Sequence, residues 1–201
     1  MAVSQIKLIV GLGNIGAKYQ GTRHNCGCDL LFALADTYRI SMNEEKRFFG
    51  ILGRGNVAGC EVRLAFPTTL MNLSGQCVGA LCTFYRIAPQ EVLVLHDEMD
   101  LPPGSIRLKF GGGLAGHNGL KSIASSLGGQ QDFYRLRIGI GKDAKRDTIN
   151  FVLGRPAPAE RALIAEAGAH ALEGIALLMT KGPERAASFI NSFKPSGFAE
   201  V

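Results

Sequence analysis

The chain has 201 residues, of which 46% are hydrophobic and 19% are charged, with a formal net charge of +5. A chain of this length buries roughly 70% of its unfolded surface, which suffices for one domain without stabilising metals or disulfides. This composition excludes a disordered protein. No apolar run approaches the roughly 18 residues of a membrane span, and residues 1–5 lack a signal-peptide pattern. We therefore expect a cytoplasmic protein that does not contact a membrane.

Cysteine usage and charge both bear on possible partners. The five cysteines are odd in number and irregularly spaced, which favours buried thiols in a reducing compartment over a disulfide framework. His24, Cys26 and Cys28 could be read as metal ligands, but no second ligand pair with zinc-site spacing accompanies them. We expect neither a metal nor a cofactor. The basic balance favours an anionic partner such as nucleic acid.

The predicted elements alternate between strands and helices through the first three-quarters of the chain. In order they are a strand (6–10), a helix (25–38), two strands (48–57 and 61–66), a helix capped by Ser74 (74–86), two strands (92–95 and 106–110), a helix (117–127), a strand (134–140) and two C-terminal helices (159–180 and 184–193). This order predicts one α/β domain over residues 1–201, with a twisted β-sheet flanked by helices and a helical C-terminus. Some connections are too short for a crossover helix, so the sheet should be mixed, although largely parallel.

Residues 11–16 match G-x-G-x-x-G directly after the first strand, which by itself suggests dinucleotide binding. That function needs a helix that begins at the third glycine. Instead, residues 17–27 read as a long polar loop, and the acidic candidates Asp29 and Asp36 fall within the predicted helix rather than after a second strand. The glycines then provide a sharp exit from the strand that presents Asn14.

Polar side chains follow three of the apolar strands. Asn14 and His24 follow the first strand, Asn72 follows residues 61–66, and Asp97 follows residues 92–95. If these strands are parallel neighbours, the four side chains converge on one crevice at the carboxyl ends of the strands. The glycine-rich loop at residues 111–119 can bring Asn118 to the same place.

This set of residues favours hydrolysis of an acyl bond by water. A histidine beside a carboxylate is held in one tautomer and becomes a better base, and asparagine amides can stabilise an oxyanion. Neither a serine nor a cysteine has the context of a nucleophile. Other interpretations exist: an aspartate after a strand is commonly a turn residue, His117 could simply order its loop, and residues 96–100 could form a metal cluster. The alternation of side chains along a strand opposes such a cluster.

At this point the sequence resembles the bacterial-type peptidyl-tRNA hydrolases along nearly its whole length. The resemblance rests on several motifs in the same order, at residues 11–14, 22–25, 67–69, 71–75, 96–104, 116–120 and 135–141. It implies hydrolysis of the ester between peptide and tRNA, by a monomer that needs no metal. The alternative is a relative with the same fold that binds RNA and has lost catalysis.

The resemblance also implies a role for individual residues. His24 would be the general base, Asp97 would orient it, and Asn14 and Asn72 would hold the peptide and the ester. Asn118 would position the water or the peptide backbone. Residues lining the crevice near the tRNA end would be Tyr19 and Leu70, and those binding the acceptor stem and its terminal phosphate would be Lys109 and Arg137. Strand alternation agrees with the assignment of Lys109 and Arg137. It places Arg107 on the same face of its strand as Lys109, and Arg135 on the same face of its strand as Arg137.

Three positions depart from the family pattern. Ile15 stands where proline is usual, Leu70 where an aromatic residue is usual, and Ala115 where glycine is common. Proline would fix φ and glycine would allow more conformations, so the loops around the crevice should differ in rigidity from those of the family. We expect these changes to alter affinity or rate before activity is lost.

Overall fold

A computed structural model of the chain describes residues 5–197. Residues 1–4, on which most of our reading of the N-terminus rests, lie outside this range, as do residues 198–201. Seven strands form one sheet: β1 (Leu8–Gly11), β2 (Asn43–Glu45), β3 (Gly50–Val57), β4 (Cys60–Pro67), β5 (Val92–Glu98), β6 (Ile106–Phe110) and β7 (Tyr134–Gly139). Their spatial order is β2-β3-β4-β1-β5-β7-β6.

The four central strands, β4, β1, β5 and β7, pair in parallel, whereas the pairs at both edges of the sheet are antiparallel. The helices are α1 (Cys26–Thr37), α2 (Ser74–Tyr85), α3 (Asn118–Ser126), α4 (Thr148–Val152), α5 (Pro158–Lys181) and α6 (Pro183–Asn191). One face of the sheet shares a hydrophobic core with α1, α5 and α6, and the other face packs against α2 and α3. The predicted mixed, largely parallel sheet between helices is thus confirmed.

Three local predictions differ from the structure. Strand β5 continues through Glu98, three residues further than its apolar run, because polar side chains also occupy ladder positions opposite β7. The short edge strand β2 was not predicted, since all three of its residues are polar and exposed. Ser74 is not a helix cap: a 3₁₀ turn leads directly into α2, and the Ser74 hydroxyl donates to the carbonyl of Met71 at 2.7 Å.

By length and composition alone, helix α5 is long and apolar enough to cross a membrane. Length and hydropathy are weak grounds for such a function, because a helix of a protein core has the same composition. Ala167, Ala171 and Ile175 have no exposed surface in the fold. These residues of α5 therefore pack inside the domain itself.

Candidate active site

Strand β1 lies between β4 and β5 and is parallel to both, so the three strand ends meet at one edge of the sheet. The polar residues that follow these strands surround a single cleft of about 630 Å³. Seven of the nine residues singled out from the sequence line it: Asn14, Tyr19, His24, Leu70, Asn72, Asp97 and Asn118. The other two, Lys109 and Arg137, lie in an adjoining cavity.

His24 and Asp97 are in direct contact. The Nδ1 atom of His24 lies 3.0 Å from each carboxylate oxygen of Asp97. An ionised carboxylate can only accept, so Nδ1 carries the hydrogen and the lone pair lies on Nε2. Asp97 is buried, and 14% of the His24 side chain remains exposed. This arrangement leaves His24 Nε2 able to take a proton within the cleft.

His117 is a second partner of Asp97, and our sequence analysis did not anticipate this contact. Its Nε2 lies 2.8 Å from Asp97 Oδ1, while its Nδ1 accepts from the backbone N–H groups of Gly119 and Leu120, as the N-cap of α3. Because Nδ1 is the acceptor, Nε2 must carry the hydrogen and donate to the carboxylate. His117 therefore orders its loop, as expected, and also braces Asp97.

Asp97 remains ionised despite its burial. Burial alone raises the pKa of this carboxyl, but its contacts with His117 and His24, whose ring N–H groups donate to it, hold the pKa well below its ordinary value. Asp97 can thus accept from both imidazoles at neutral pH. Within the described residues, His24, Asp97 and His117 are the one cluster whose ligand atoms lie close enough together to hold a metal ion.

Asn14 is fixed by hydrogen bonds on three sides. Its backbone N–H donates to Asn25 Oδ1 at 2.8 Å, and Asn25 Nδ2 donates back to the Asn14 carbonyl at 2.9 Å. The side-chain oxygen of Asn14 accepts from the backbone N–H of Met71 at 3.2 Å. This last contact orients the amide, so its NH₂ group is the part left to donate to a ligand. Asn25, which sequence analysis had not singled out, is the residue that holds Asn14.

The remaining residues of the cleft are more exposed. Asn72 is the middle residue of the 3₁₀ turn Met71–Leu73, Asn118 is the first residue of α3, and both side chains are exposed. Leu70 is 63% exposed and Ile149, on α4, is 64% exposed. Both apolar side chains line the cleft and remain accessible to a ligand. Tyr19 is half-buried under the ammonium group of Lys18. Such a rim can contact a ligand with both amide donors and apolar surface.

Basic side chains line the adjoining cavity, which has a volume of about 230 Å³. Arg107 pairs with Arg137 and Lys109 pairs with Arg135 across β6 and β7, so the four lie on one face of the sheet, as the alternation predicted. Arg137 Nε donates to Glu98 at 3.1 Å. Glu98 lines both the cavity and the cleft, which places the basic face beside the His24–Asp97 pair.

The geometry supports neither a metal cluster at residues 96–100 nor a cysteine nucleophile. The alternating side chains of residues 96–100 do not gather around one point: His96 Nδ1 bonds the Asp97 carbonyl, whereas Glu98 bonds Arg137 and the backbone of Asp100. Burial lowers the pKa of His96 to about 3, so it is neutral at physiological pH. Burial and the neighbouring Asp97 raise the pKa of Cys26 well above its ordinary value, which keeps it an unreactive thiol.

The glycines at residues 11–16 serve the packing of α1 rather than a dinucleotide. Two 3₁₀ turns, Ala17–Tyr19 and Arg23–Asn25, follow them, and α1 begins only at Cys26. A Cβ added to Gly11 would lie 2.5 Å from Leu31 Cβ and 2.8 Å from the Gly27 carbonyl oxygen. The close approach of β1 to α1 explains this glycine.

Comparison with known proteins decides the family. Residues 8–197 match the sequence pattern of the family described as "Peptidyl-tRNA hydrolase". The chain belongs to the peptidyl-tRNA hydrolase family. It is 52% identical to the peptidyl-tRNA hydrolase of Haemophilus influenzae over 193 residues, 96% of this chain and 100% of that protein. It is 53% identical to that of Edwardsiella ictaluri over 192 residues, 95% of this chain and 98% of that protein.

Solved structures of peptidyl-tRNA hydrolases agree with this assignment. The structure from Acinetobacter baumannii matches with a TM-score of 0.93 and 45% identity, and the alignment covers 98% of this chain and 100% of that one. A complex of peptidyl-tRNA hydrolase with N-propanol gives the same TM-score at 46% identity over the same shares. The resemblance inferred from the motifs is confirmed.

Ala115, one of the departures from the usual peptidyl-tRNA hydrolase pattern, has a φ of 50° in the loop before His117. This left-handed conformation costs a residue with a Cβ about 1–2 kcal/mol. We expect Ala115→Gly to raise the free energy of unfolding by about 1 kcal/mol, because glycine adopts this φ without strain. Denaturant titration measures the change.

The matched control is Ala169→Gly in α5, at an exposed helical position. There glycine should lower the free energy of unfolding by about 1 kcal/mol, because it weakens a helix. A loss of stability in both variants would show that the conformation of Ala115 is not strained.

Proposed function

We propose that this chain hydrolyses the ester bond between a peptide, or an N-blocked amino acid, and tRNA, and so returns free tRNA to translation. Membership of the family supports the reaction and its substrate. The observation that carries the mechanism is the contact of His24 Nδ1 with the buried carboxylate of Asp97, which leaves Nε2 as a base within the cleft.

In the proposed reaction, His24 Nε2 takes a proton from a water molecule as the water oxygen attacks the ester carbonyl. The NH₂ group of Asn14 donates to the oxygen on which negative charge develops. Collapse of the tetrahedral intermediate breaks the bond to the ribose oxygen of tRNA, and that oxygen takes the proton from His24. Asp97 stabilises the imidazolium that forms between the two steps, and His117 keeps the carboxylate in place.

The exposed residues of the cleft hold the substrate in this proposal. Asn72 and Asn118 offer amide groups to the peptide backbone or the water, and they stand beside Asn14 and His24 in the cleft. Tyr19 and Leu70 line the same cleft and contact the end of the tRNA. Leu70 supplies apolar contact without aromatic stacking, so affinity for the terminal base should be weaker than with an aromatic side chain.

The tRNA acceptor stem and its terminal phosphate are proposed to bind Lys109 and Arg137. Both residues lie on the basic face of β6 and β7, beside the cleft. We expect Lys109→Ala and Arg137→Ala each to weaken tRNA binding and to flatten its dependence on salt by about one phosphate contact. Binding measured at several salt concentrations tests this, with Lys181→Ala as the control.

Lys181 is an exposed charge at the end of α5, which packs on the opposite face of the sheet. Its removal should leave the salt slope unchanged. If Lys109→Ala and Arg137→Ala gave the same slope as wild type, the acceptor stem would have to bind elsewhere.

The proposal includes no metal ion. His24, Asp97 and His117 could approach a cation, but His117 Nδ1 is occupied by two backbone N–H groups of α3. His117 Nε2 therefore holds a hydrogen and donates to Asp97, whereas a metal ligand must offer a lone pair. We further propose that the protein acts in the cytoplasm, as a monomer.

The test of function is release of an N-acetylated amino acid from tRNA by the wild-type protein, compared with release of the same amino acid without the acetyl group. Cleavage of the blocked substrate with much slower cleavage of the free one supports the proposal. Binding of tRNA without release from either substrate would instead favour the alternative, a non-catalytic RNA-binding relative.

A further inference from the structure

The glycine-rich segment at residues 111–116 is attached to the sheet by one buried side chain, that of Arg135 on β7. Its Nη1 donates to the carbonyl of Gly113 at 2.5 Å and its Nη2 to the carbonyl of Gly112 at 2.6 Å. A weaker bond from Nη2 reaches the carbonyl of Gln131 at 3.3 Å. One planar guanidinium thus binds two successive carbonyls of the segment.

The segment has little else to fix its shape. Gly111, Gly112, Ala115 and Gly116 all have positive φ. Among the described residues, its own backbone bonds are one from Gly111 to Phe133 and one that closes a turn from His117 to Leu114. Most of the segment is exposed, although Leu114 packs against the hydrophobic core that the sheet shares with α2 and α3. The two bonds from Arg135 are therefore a large share of what fixes residues 112 and 113 in space.

Arg135 is an unusual residue to find in this position. It is 2% exposed, and all of its hydrogen-bond acceptors are backbone carbonyls rather than carboxylates. Its Nε has no hydrogen-bond partner within residues 5–197, and its guanidinium also lies 4.9 Å from the Phe133 ring. Burying a charge that forms no hydrogen bond with a carboxylate costs free energy. Arg137, two residues away, is partly exposed and has the carboxylate of Glu98 as its partner.

The segment leads directly to groups of the site. His117, which braces Asp97, follows Gly116, and Asn118 comes next. We propose that Arg135 is a positioning residue for the hydrolysis: by holding the carbonyls of Gly112 and Gly113, it sets the place of His117 and Asn118 in the cleft. This inference rests on the proposed function. It assigns to Arg135 a role different from tRNA binding, although the residue lies on the basic face.

The proposal is tested with Arg135→Lys, which keeps the positive charge but cannot bind two carbonyls with one planar group. We expect kcat for the blocked aminoacyl-tRNA to fall by about tenfold or more, since small displacements of catalytic groups have effects of this size. The affinity for tRNA and the slope of its salt dependence should stay as in wild type. The control is Arg107→Lys, on the same face, where the guanidinium bonds only the adjacent Ile106 carbonyl.

A second measurement needs no substrate. Amide hydrogen exchange at residues 111–118 should be about tenfold faster in Arg135→Lys than in wild type, and unchanged in Arg107→Lys. Arg135→Gln repeats the comparison if the lysine variant unfolds, and failure of both to fold would overturn the proposal, since Arg135 would then hold the domain as a whole.

The other outcomes are also decisive. Unchanged exchange together with unchanged kcat overturns the positioning role. If tRNA binding by Arg135→Lys depends less on salt while kcat is unchanged, the positioning role is also overturned, because Arg135 would then be a phosphate contact. If the wild-type protein cleaves no peptidyl-tRNA, the proposed function fails, and the exchange measurement alone decides whether Arg135 holds the segment.

Discussion

His24→Ala is expected to lower kcat for release of an N-acetylated amino acid from tRNA by about 10²–10⁴-fold, the usual contribution of a general base. The alanine variant leaves no group to take the proton of the attacking water. Binding of tRNA should change little, because the proposed phosphate contacts, Lys109 and Arg137, lie in the adjoining cavity. Single-turnover cleavage at saturating enzyme separates the chemical step from binding.

The matched control for His24→Ala is His170→Gln. His170 lies on α5, where its ring stacks on Phe189 and its Nε2 contacts the Phe189 carbonyl, and it is not among the residues that line the cleft. Its replacement should leave the rate unchanged. Cleavage by His24→Ala at the wild-type rate would remove His24 from the mechanism, and the base would have to be sought elsewhere in the cleft.

Gly27→Ala should destabilise the fold strongly. Gly27 lies in the first turn of α1, and a Cβ at this position would stand 2.2 Å from the Leu95 carbonyl oxygen and 2.8 Å from the Leu95 carbonyl carbon. Both atoms belong to the backbone of β5, so the helix or the strand must move. We expect the free energy of unfolding to fall by about 3 kcal/mol, at the upper end of the range for overpacking.

Gly168→Ala, within α5, is the control for this substitution. Its added Cβ would meet only Leu30 Cδ1, at an ordinary contact distance of 3.8 Å. Alanine should therefore raise the free energy of unfolding by about 0.5–1 kcal/mol, through helix propensity alone. Equal effects of the two substitutions in chemical denaturation would mean that α1 does not pack against β5 as closely as described.

The sequence was informative where a regular pattern reports on the backbone. The apolar runs of β1, β4 and β5 predicted three strands, and the rule for strand ends placed Asn14, His24 and Asp97 together on the condition that these strands are parallel neighbours, as they are in the structure. Alternation along β6 and β7 correctly placed the basic residues on one face. Such predictions succeed because the side-chain period of a strand is independent of the rest of the fold.

Contacts between distant parts of the chain could not be predicted in this way. The bond between His117 and Asp97 joins residues 20 positions apart, and that between Arg135 and Gly113 joins residues 22 apart. Neither has a local spacing signal, since the distance depends on how α3 and β7 are placed relative to β5. The same applies to Asn25, whose side chain reads as an ordinary loop amide but fixes Asn14. The functional assignments of individual residues remain predictions for the experiments above.

The polar end of β5 lies between the cleft that contains His24 and the adjoining basic cavity. Asp97 faces the side on which α1 and His24 lie, whereas His96 and Glu98 face the basic cavity. A deletion of one residue within β5 would reverse these directions, because every side chain beyond it would turn to the other face of the sheet. Asp97 would then face the guanidinium groups of the basic cavity, and a residue next to it in β5 would lie beside His24. The length of β5 is thus constrained by chemistry at its end as well as by packing in its middle, and variation in strand length should be confined to strands whose ends carry no residue of the site.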